Sequence, residues 1–141
     1  MLAKHDASCC TDVTGFGLLG HLVEMAAASG ARVSLSMGAV PLLPGAAETV
    51  AAGVFSSLQP ANLRLKRAVA NEAEALEHPV YPLLFDPQTS GGLLAAVPAR
   101  RAAACLKALH AIGYEHAAVV GKVTSELPEG TCAPTLVECA P

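Results

Sequence analysis

The sequence predicts an α+β fold in which helices pack on a mixed β-sheet. Three observations over its 141 residues carry that expectation. Strand–helix–strand patterning occurs twice, around residues 7–37 and again around 92–125. These two units flank further helical segments, an arrangement that buries helices against a sheet as layers. The composition is 52% hydrophobic with a mean hydropathy of +0.45, ample for the core of one domain. Only 4% of the chain is aromatic and there is no Trp, so Leu, Val and Ala must fill that core.

The elements follow in chain order. "ASCCTD", 7–12, reads as a short strand ending on a carboxylate. From Gly15 to Ser29, Phe16, Leu19, Leu22, Val23 and Ala26 recur with a helical period. Thr14 suits the N-cap of that helix and Gly30 its C′ position. "ARVSLSM", 31–37, alternates Val33, Leu35 and Met37 with polar neighbours as a half-buried strand does, and the prolines of "AVPLLPG" make a loop of 39–45. "AAETVAAG" is a short helix closed by Gly53.

Pro60 starts a helix expected to run to about Leu76, with Arg64, Lys66, Arg67, Glu72 and Glu74 on a solvated face. "VYPLLFD", 80–86, reads as a strand whose Pro82 restricts it to an edge or a strand start. "DPQTSGG", 86–92, is a turn, and "LLAAV", 93–97, a buried strand. Pro98 opens the amphipathic helix "ARRAAACLKALHAIG", closed by Gly113, and "AAVVGKVTS", 117–125, is a further strand. The domain is therefore expected over 1–125, with 126–141 a peripheral tail.

Composition excludes several classes. A net charge of −3 and a pI near 5.9, without a basic stripe, argue against nucleic-acid binding. Apolar runs such as "GLLAAV" are too short to cross a bilayer, and "MLAKHDASCC" lacks the apolar stretch of a signal peptide. The expected location is the cytoplasm. Cys9, Cys10, Cys105, Cys132 and Cys139 form an odd set without Cys-x-x-Cys spacing, which favours free thiols over a disulfide scaffold. A zinc site from His5, Cys9, Cys10 and a distant cysteine matches no regular ligand spacing. His5, His78, His110 and His116 are scattered and form no metal spacing, and His21 reads as a packed or partly exposed histidine beside the apolar face of the first helix.

Two loops have the residue types for chemistry. In "TDVTGFG", 11–17, Asp12 precedes Thr14, Gly15 and Gly17 at the start of a helix. A helix N-terminus favours anions, and glycines let a phosphate approach the backbone. A carboxylate just upstream suits a hard cation such as Mg²⁺, which takes one or two carboxylates together with phosphate oxygens. The plainer alternative has Asp12 or Thr14 capping the helix and the glycines shaping a turn. In "DPQTSGG", Thr89 and Ser90 supply hydroxyls, and Gly91 with Gly92 can form a nest of N–H groups that attracts oxyanions. Here the alternative is a tight connection between flanking elements. Neither loop is a Walker A or dinucleotide-binding fingerprint.

Taken together, "CTDVTGFGLLGHL" (10–22) and "DPQTSGGLLAAV" (86–97) resemble selenophosphate synthetase, also called selenide, water dikinase. "VPLLPGA" (40–46) and "VVGKV" (119–123) resemble the same family in order and spacing. The aminoimidazole ribonucleotide synthetases and thiamine-monophosphate kinase share the architecture, but the first two strings favour the selenium enzyme. The resemblance covers about residues 5–125 and is to the C-terminal domain of the family. It implies a reaction of ATP, selenide and water to give selenophosphate, AMP and phosphate with Mg²⁺.

The resemblance further implies that Asp12 helps hold the metal–phosphate cluster and that Thr11, Thr14, Gly15 and Gly17 line or shape the site. Thr89, Ser90, Gly91 and Gly92 match a family motif without an assigned duty. No catalytic nucleophile is carried over to this sequence. In the family, an N-terminal ATP-binding domain carries the Cys or selenocysteine, a Lys, a glycine-rich segment, further metal-binding aspartates and most of a homodimer interface. That domain is absent, so the chain is expected to be an excised or truncated C-terminal domain, inactive alone. Where many members have Gly-Gly-Thr-x-Arg-Asn, this chain has "SSLQPANLR", in which Asn62 is the plausible counterpart and Ser56 and Ser57 replace the rest. The rival functions are another ATP-dependent synthetase or kinase of the superfamily and a non-catalytic interaction module. Intact Asp12 and glycines count against the last.

Overall fold

A computed structural model describes residues 1–126 and 137–141 of the chain. Five strands are present among these residues: β1 (Cys9–Asp12), β2 (Ala31–Ser36), β3 (Leu93–Ala96), β4 (Gly121–Glu126) and β5 (Val137–Ala140). The α-helices are α1 (Gly17–Ala28), α2 (Ala46–Ala51), α3 (Gln59–Asn62), α4 (Glu72–Ala75) and α5 (Ala99–Ala111), with 3-10 segments between several of them. The α+β class is as expected. The strands divide into a two-stranded antiparallel ribbon, β1–β3, and a three-stranded mixed sheet in the order β4-β2-β5. In that sheet β2 runs antiparallel to β4 and parallel to β5.

The core lies between α1 and the strands. Leu19, Leu22 and Ala26 line one face of α1, and they meet Leu35, Met37, Leu84, Phe85, Leu94 and Val137 in one buried cluster. Their spacing along the helix is the apolar period that predicted it. Gly30, with φ of +57°, sits just beyond the last turn as expected, and Gly113, with φ of +97°, does the same after α5.

Three expectations are corrected. The single helix from Pro60 to Leu76 is three pieces: α3, a 3-10 segment over Leu63–Ala68, and α4. It breaks because Val69 turns extended and bridges to Val137, while the Ala70 N–H donates to the Val137 carbonyl at 2.8 Å. A tertiary pairing overrides local helix preference there. The expected strand 80–86 is a 3-10 segment, Tyr81–Phe85. Its buried residues, Tyr81, Leu84 and Phe85, fall at helical rather than alternating spacing. Tyr81 and Phe85 stack edge to face with centroids 5.1 Å apart.

The third correction concerns the tail. Residues 137–140 are not peripheral: β5 lies against β2, with Val137 and Cys139 buried. Alternation of these two apolar residues with Glu138 puts them on the inner face of the sheet. Cys132, with the two internal prolines of the tail, lies outside the described residues.

Candidate functional site

The ribbon β1–β3 brings the two glycine-bearing loops together. Asp12, the last residue of β1, pairs with Leu93, the first of β3. The pairing extends one step further, where the Val13 N–H donates to the Gly92 carbonyl at 2.9 Å. The Gln88 N–H then donates to the Thr14 carbonyl at 3.0 Å. Segments 11–17 and 86–92, whose nearest ends are 69 positions apart in sequence, are thus knitted along their backbones.

Two glycines are required by this crossing. A Cβ on Gly17 would lie 2.8 Å from both the Leu84 carbonyl oxygen and the Phe85 carbonyl carbon, and its φ of +69° disfavours other residues. A Cβ on Gly91 would run into the Val13 carbonyl. Gly15 and Gly92 are different: both are exposed and a Cβ on either would meet open space. Packing does not demand a glycine at these two positions.

Asn62 supplies a third tie. Although it lies outside both motifs it is only 4% exposed. Its Nδ2 donates to the Gly15 carbonyl at 2.9 Å and to the Phe85 carbonyl at 3.0 Å. Gln59, one turn earlier, donates from Nε2 to the Pro82 carbonyl at 2.7 Å. One short helix therefore fixes the glycine corner and the 3-10 segment beneath it. Asn62 was legible only as the surviving residue of a substituted motif, and Gln59 carried no signal at all.

The expected capping role of Thr14 is corrected. Helix α1 begins at Gly17, and Phe16, at the cap position, makes no side-chain capping bond. Thr14 instead turns its hydroxyl to His21, with Oγ1 and Nε2 3.2 Å apart, while its carbonyl accepts the Gly17 N–H at 3.0 Å. Asp12 does not cap the helix either, since it ends a strand five positions before α1 begins. Its side chain is exposed, as are Thr89 and Ser90, whereas Thr11 is half-buried. Gln88 steadies the second loop by donating from Nε2 to Asp86 Oδ2 at 3.2 Å.

The donor set suits a shared metal rather than an enclosed one. Among the described residues no three His, Cys, Asp or Glu side chains gather into a metal-binding group. One exposed carboxylate at the mouth of two loops fits a Mg²⁺ whose other ligands are phosphate oxygens, waters and carboxylates from elsewhere. Cys9, Cys10, Cys105 and Cys139 are free thiols, the last two buried. Among the described residues no helix is long and apolar enough to cross a membrane. Apolar side chains border the site: Phe16 is 45% exposed and Leu93 69%.

These features define an α+β domain whose two glycine-bearing loops are linked along their backbones. The chain belongs to the family of AIR synthase related proteins, C-terminal domain, which matches residues 1–130. It is 41% identical over 125 residues to the selenide, water dikinase of Myxococcus xanthus, covering 89% of this chain and 35% of that protein. The selenide, water dikinase of Pelobacter propionicus is 44% identical over 117 residues, 83% of this chain and 34% of the relative. That of Clostridioides difficile is 35% identical over 127 residues, 90% and 36% respectively. The chain spans about a third of the length of these curated relatives.

Proposed function

We propose that this chain is the C-terminal domain of a selenide, water dikinase, the enzyme that makes selenophosphate from selenide, ATP and water and releases AMP and phosphate. The observation that supports it most is the pairing of Asp12 with Leu93, which sets the two family-like motifs side by side around one exposed carboxylate. Asp12 would hold Mg²⁺, and the ion when bound neutralises phosphate charge. Gly15 and Gly92, each facing open space, leave room for phosphates or a covering domain. Gly17 and Gly91 keep the two loops in contact, and Thr11, Thr89 and Ser90 offer polar groups at their edges.

The nucleophilic Cys or selenocysteine, the Lys and the glycine-rich segment belong to an N-terminal domain outside this chain. That domain would also supply most of a homodimer interface in a cytosolic enzyme. Phe16 and Leu93, both exposed, are the apolar surface on which it would close. Phosphoryl transfer depends on positioning and charge stabilisation from all these parts, so this chain alone should release no AMP from ATP and selenide. The test is a chimera in which this chain replaces the matching third of the Myxococcus xanthus relative. Selenide-dependent AMP release by the folded chimera supports the function, and a folded but silent chimera contradicts it.

A further inference from the structure

Of the two glycines in the first loop, Gly17 is required by packing and Gly15 is not. The φ of Gly15 lies outside the left-handed region, and a Cβ there would meet open space. What constrains Gly15 is its carbonyl. That oxygen accepts from Asn62 Nδ2 at 2.9 Å, and the same nitrogen donates to the Phe85 carbonyl at 3.0 Å. Both protons of the amide are thereby committed. The opposite orientation of the side chain would set Oδ1 against two carbonyl oxygens, so the network itself fixes which atom is the donor. Asn62 is 4% exposed, which places this anchor on the inner side of the loop.

A trans peptide is planar, with its C=O and N–H pointing in opposite directions. No peptide bond among the described residues is cis. With the Gly15 carbonyl drawn to a buried side chain, the N–H of the same peptide, that of Phe16, faces the outer side of the loop. Gly15 and Phe16 are both exposed there. Asn62 therefore decides which end of one peptide dipole the open side presents. Turned the other way, the peptide would set a carbonyl oxygen before the oxygens of an ionised phosphate, and neither can donate.

Gln59 sets the contrast. It stands on the same short helix, is 6% exposed, and donates from Nε2 to the Pro82 carbonyl at 2.7 Å. It ties that helix down through an equally buried amide, but its bond reaches neither loop.

We propose that Asn62 is a positioning residue of the candidate site: it holds the Gly15 carbonyl inward, so that the glycine corner presents an N–H rather than an oxygen to phosphate. The phosphate half of this assignment rests on the proposed function, whereas the orientation of the peptide does not.

Two measurements on the 141-residue chain read the orientation. A scalar coupling transmitted across the hydrogen bond, from Asn62 Nδ2 to the Gly15 carbonyl carbon, is expected. The Phe16 amide should also be strongly broadened by a neutral, soluble gadolinium chelate. A Gly15 carbonyl without that coupling, or a Phe16 amide shielded from the chelate, overturns the assignment.

Kinetics of the chimera with the Myxococcus xanthus relative read the consequence. Asn62→Ala and Gln59→Ala each remove one buried amide and should lose stability alike. Asn62→Ala should raise KM for Mg·ATP by about tenfold or more with kcat largely kept, since a misplacement of about 1 Å can cost about a hundredfold. Gln59→Ala should leave KM unchanged. Equal KM values for the two folded variants would reduce Asn62 to a structural tie. Gly15→Ala, whose methyl group meets open space, should raise KM without loss of stability, and this holds even where Asn62→Ala does not fold. An unchanged KM in Gly15→Ala overturns the phosphate half. A folded chimera that releases no AMP overturns that half together with the proposed function, and the coupling and the chelate still decide the orientation.

Discussion

Asn62 and Gly15 lie 47 positions apart and are joined by a 2.9 Å hydrogen bond that fixes the glycine corner of the candidate site. The same amide nitrogen serves the Phe85 carbonyl, so one buried side chain holds two segments that would otherwise be linked only through the core. Asn62→Ala leaves that buried carbonyl without its donor. The expected loss is about 1–3 kcal/mol of stability, and Asn62→Asp, which loses both donor hydrogens when ionised, should cost at least as much. Urea denaturation of the two variants checks this. A loss below about 0.5 kcal/mol, the range of ordinary surface changes, would show that the tie is dispensable.

The four loop glycines should separate by mutation. Gly91→Ala drives a Cβ into the Val13 carbonyl and must push β1 and β3 apart, so a loss of about 1–3 kcal/mol is expected, as for other overpacked positions. Gly92→Ala meets open space and should change stability by no more than about 0.5 kcal/mol. On the proposed function, Gly92→Ala should nonetheless lower AMP release in the chimera, because the added methyl group occupies room left for a ligand or covering domain. Melting curves and turnover on the same pair of variants give the comparison. Equal stability for both would mean that Gly91 is not packed as described.

Alkaline pH should unfold the domain through two buried groups. Burial raises the Cys139 thiol from the ordinary 9.0 to about 11. Burial, then the charges of Glu72 and Cys139, raises Tyr81 from 10.0 to about 12. In both cases the unfolded chain loses its proton at lower pH than the folded one. The stability each group contributes is therefore complete below its unfolded value and lost as pH rises through its folded value. Stability should fall between about pH 9 and pH 12. Cys139→Ala should flatten the lower part of that decline and Tyr81→Phe the upper part. Since the Tyr81 hydroxyl is buried without a hydrogen-bond partner among the described residues, Tyr81→Phe should cost little at neutral pH. Melting temperatures across this range, compared among the three proteins, decide it.

Local signals made much of the fold legible. Leu19, Leu22 and Ala26 announced α1 because helix period and burial coincide there. Pro98 and Gly113 bracketed α5 because they act on their own backbone alone. The misread segments depend on partners remote in sequence. Val69 leaves the helix to meet Val137, and no pattern within 60–76 encodes that pairing. Tyr81, Leu84 and Phe85 did carry a helical spacing, but β-favouring residues around Pro82 masked it. At the site, the motifs pointed to both loops, and the chain pairing that joins them is visible only in three dimensions. Neither the reach of His21 to Thr14 nor that of Asn62 to Gly15 was legible there.

The measurement that tests the central claim most directly is selenide-dependent AMP release by the chimera with and without Asp12→Ala, alongside thermal melts of both proteins. Asp12 is an exposed residue at a strand end with no capping bond to the helix, so its removal should leave the melt within about 1 kcal/mol of the parent. Loss of a carboxylate that holds the cation removes charge neutralisation from phosphoryl transfer, so AMP release should fall by at least about a hundredfold, a deficit of roughly 2.7 kcal/mol in transition-state stabilisation. Near-normal AMP release from Asp12→Ala at saturating Mg²⁺ and ATP would contradict the account.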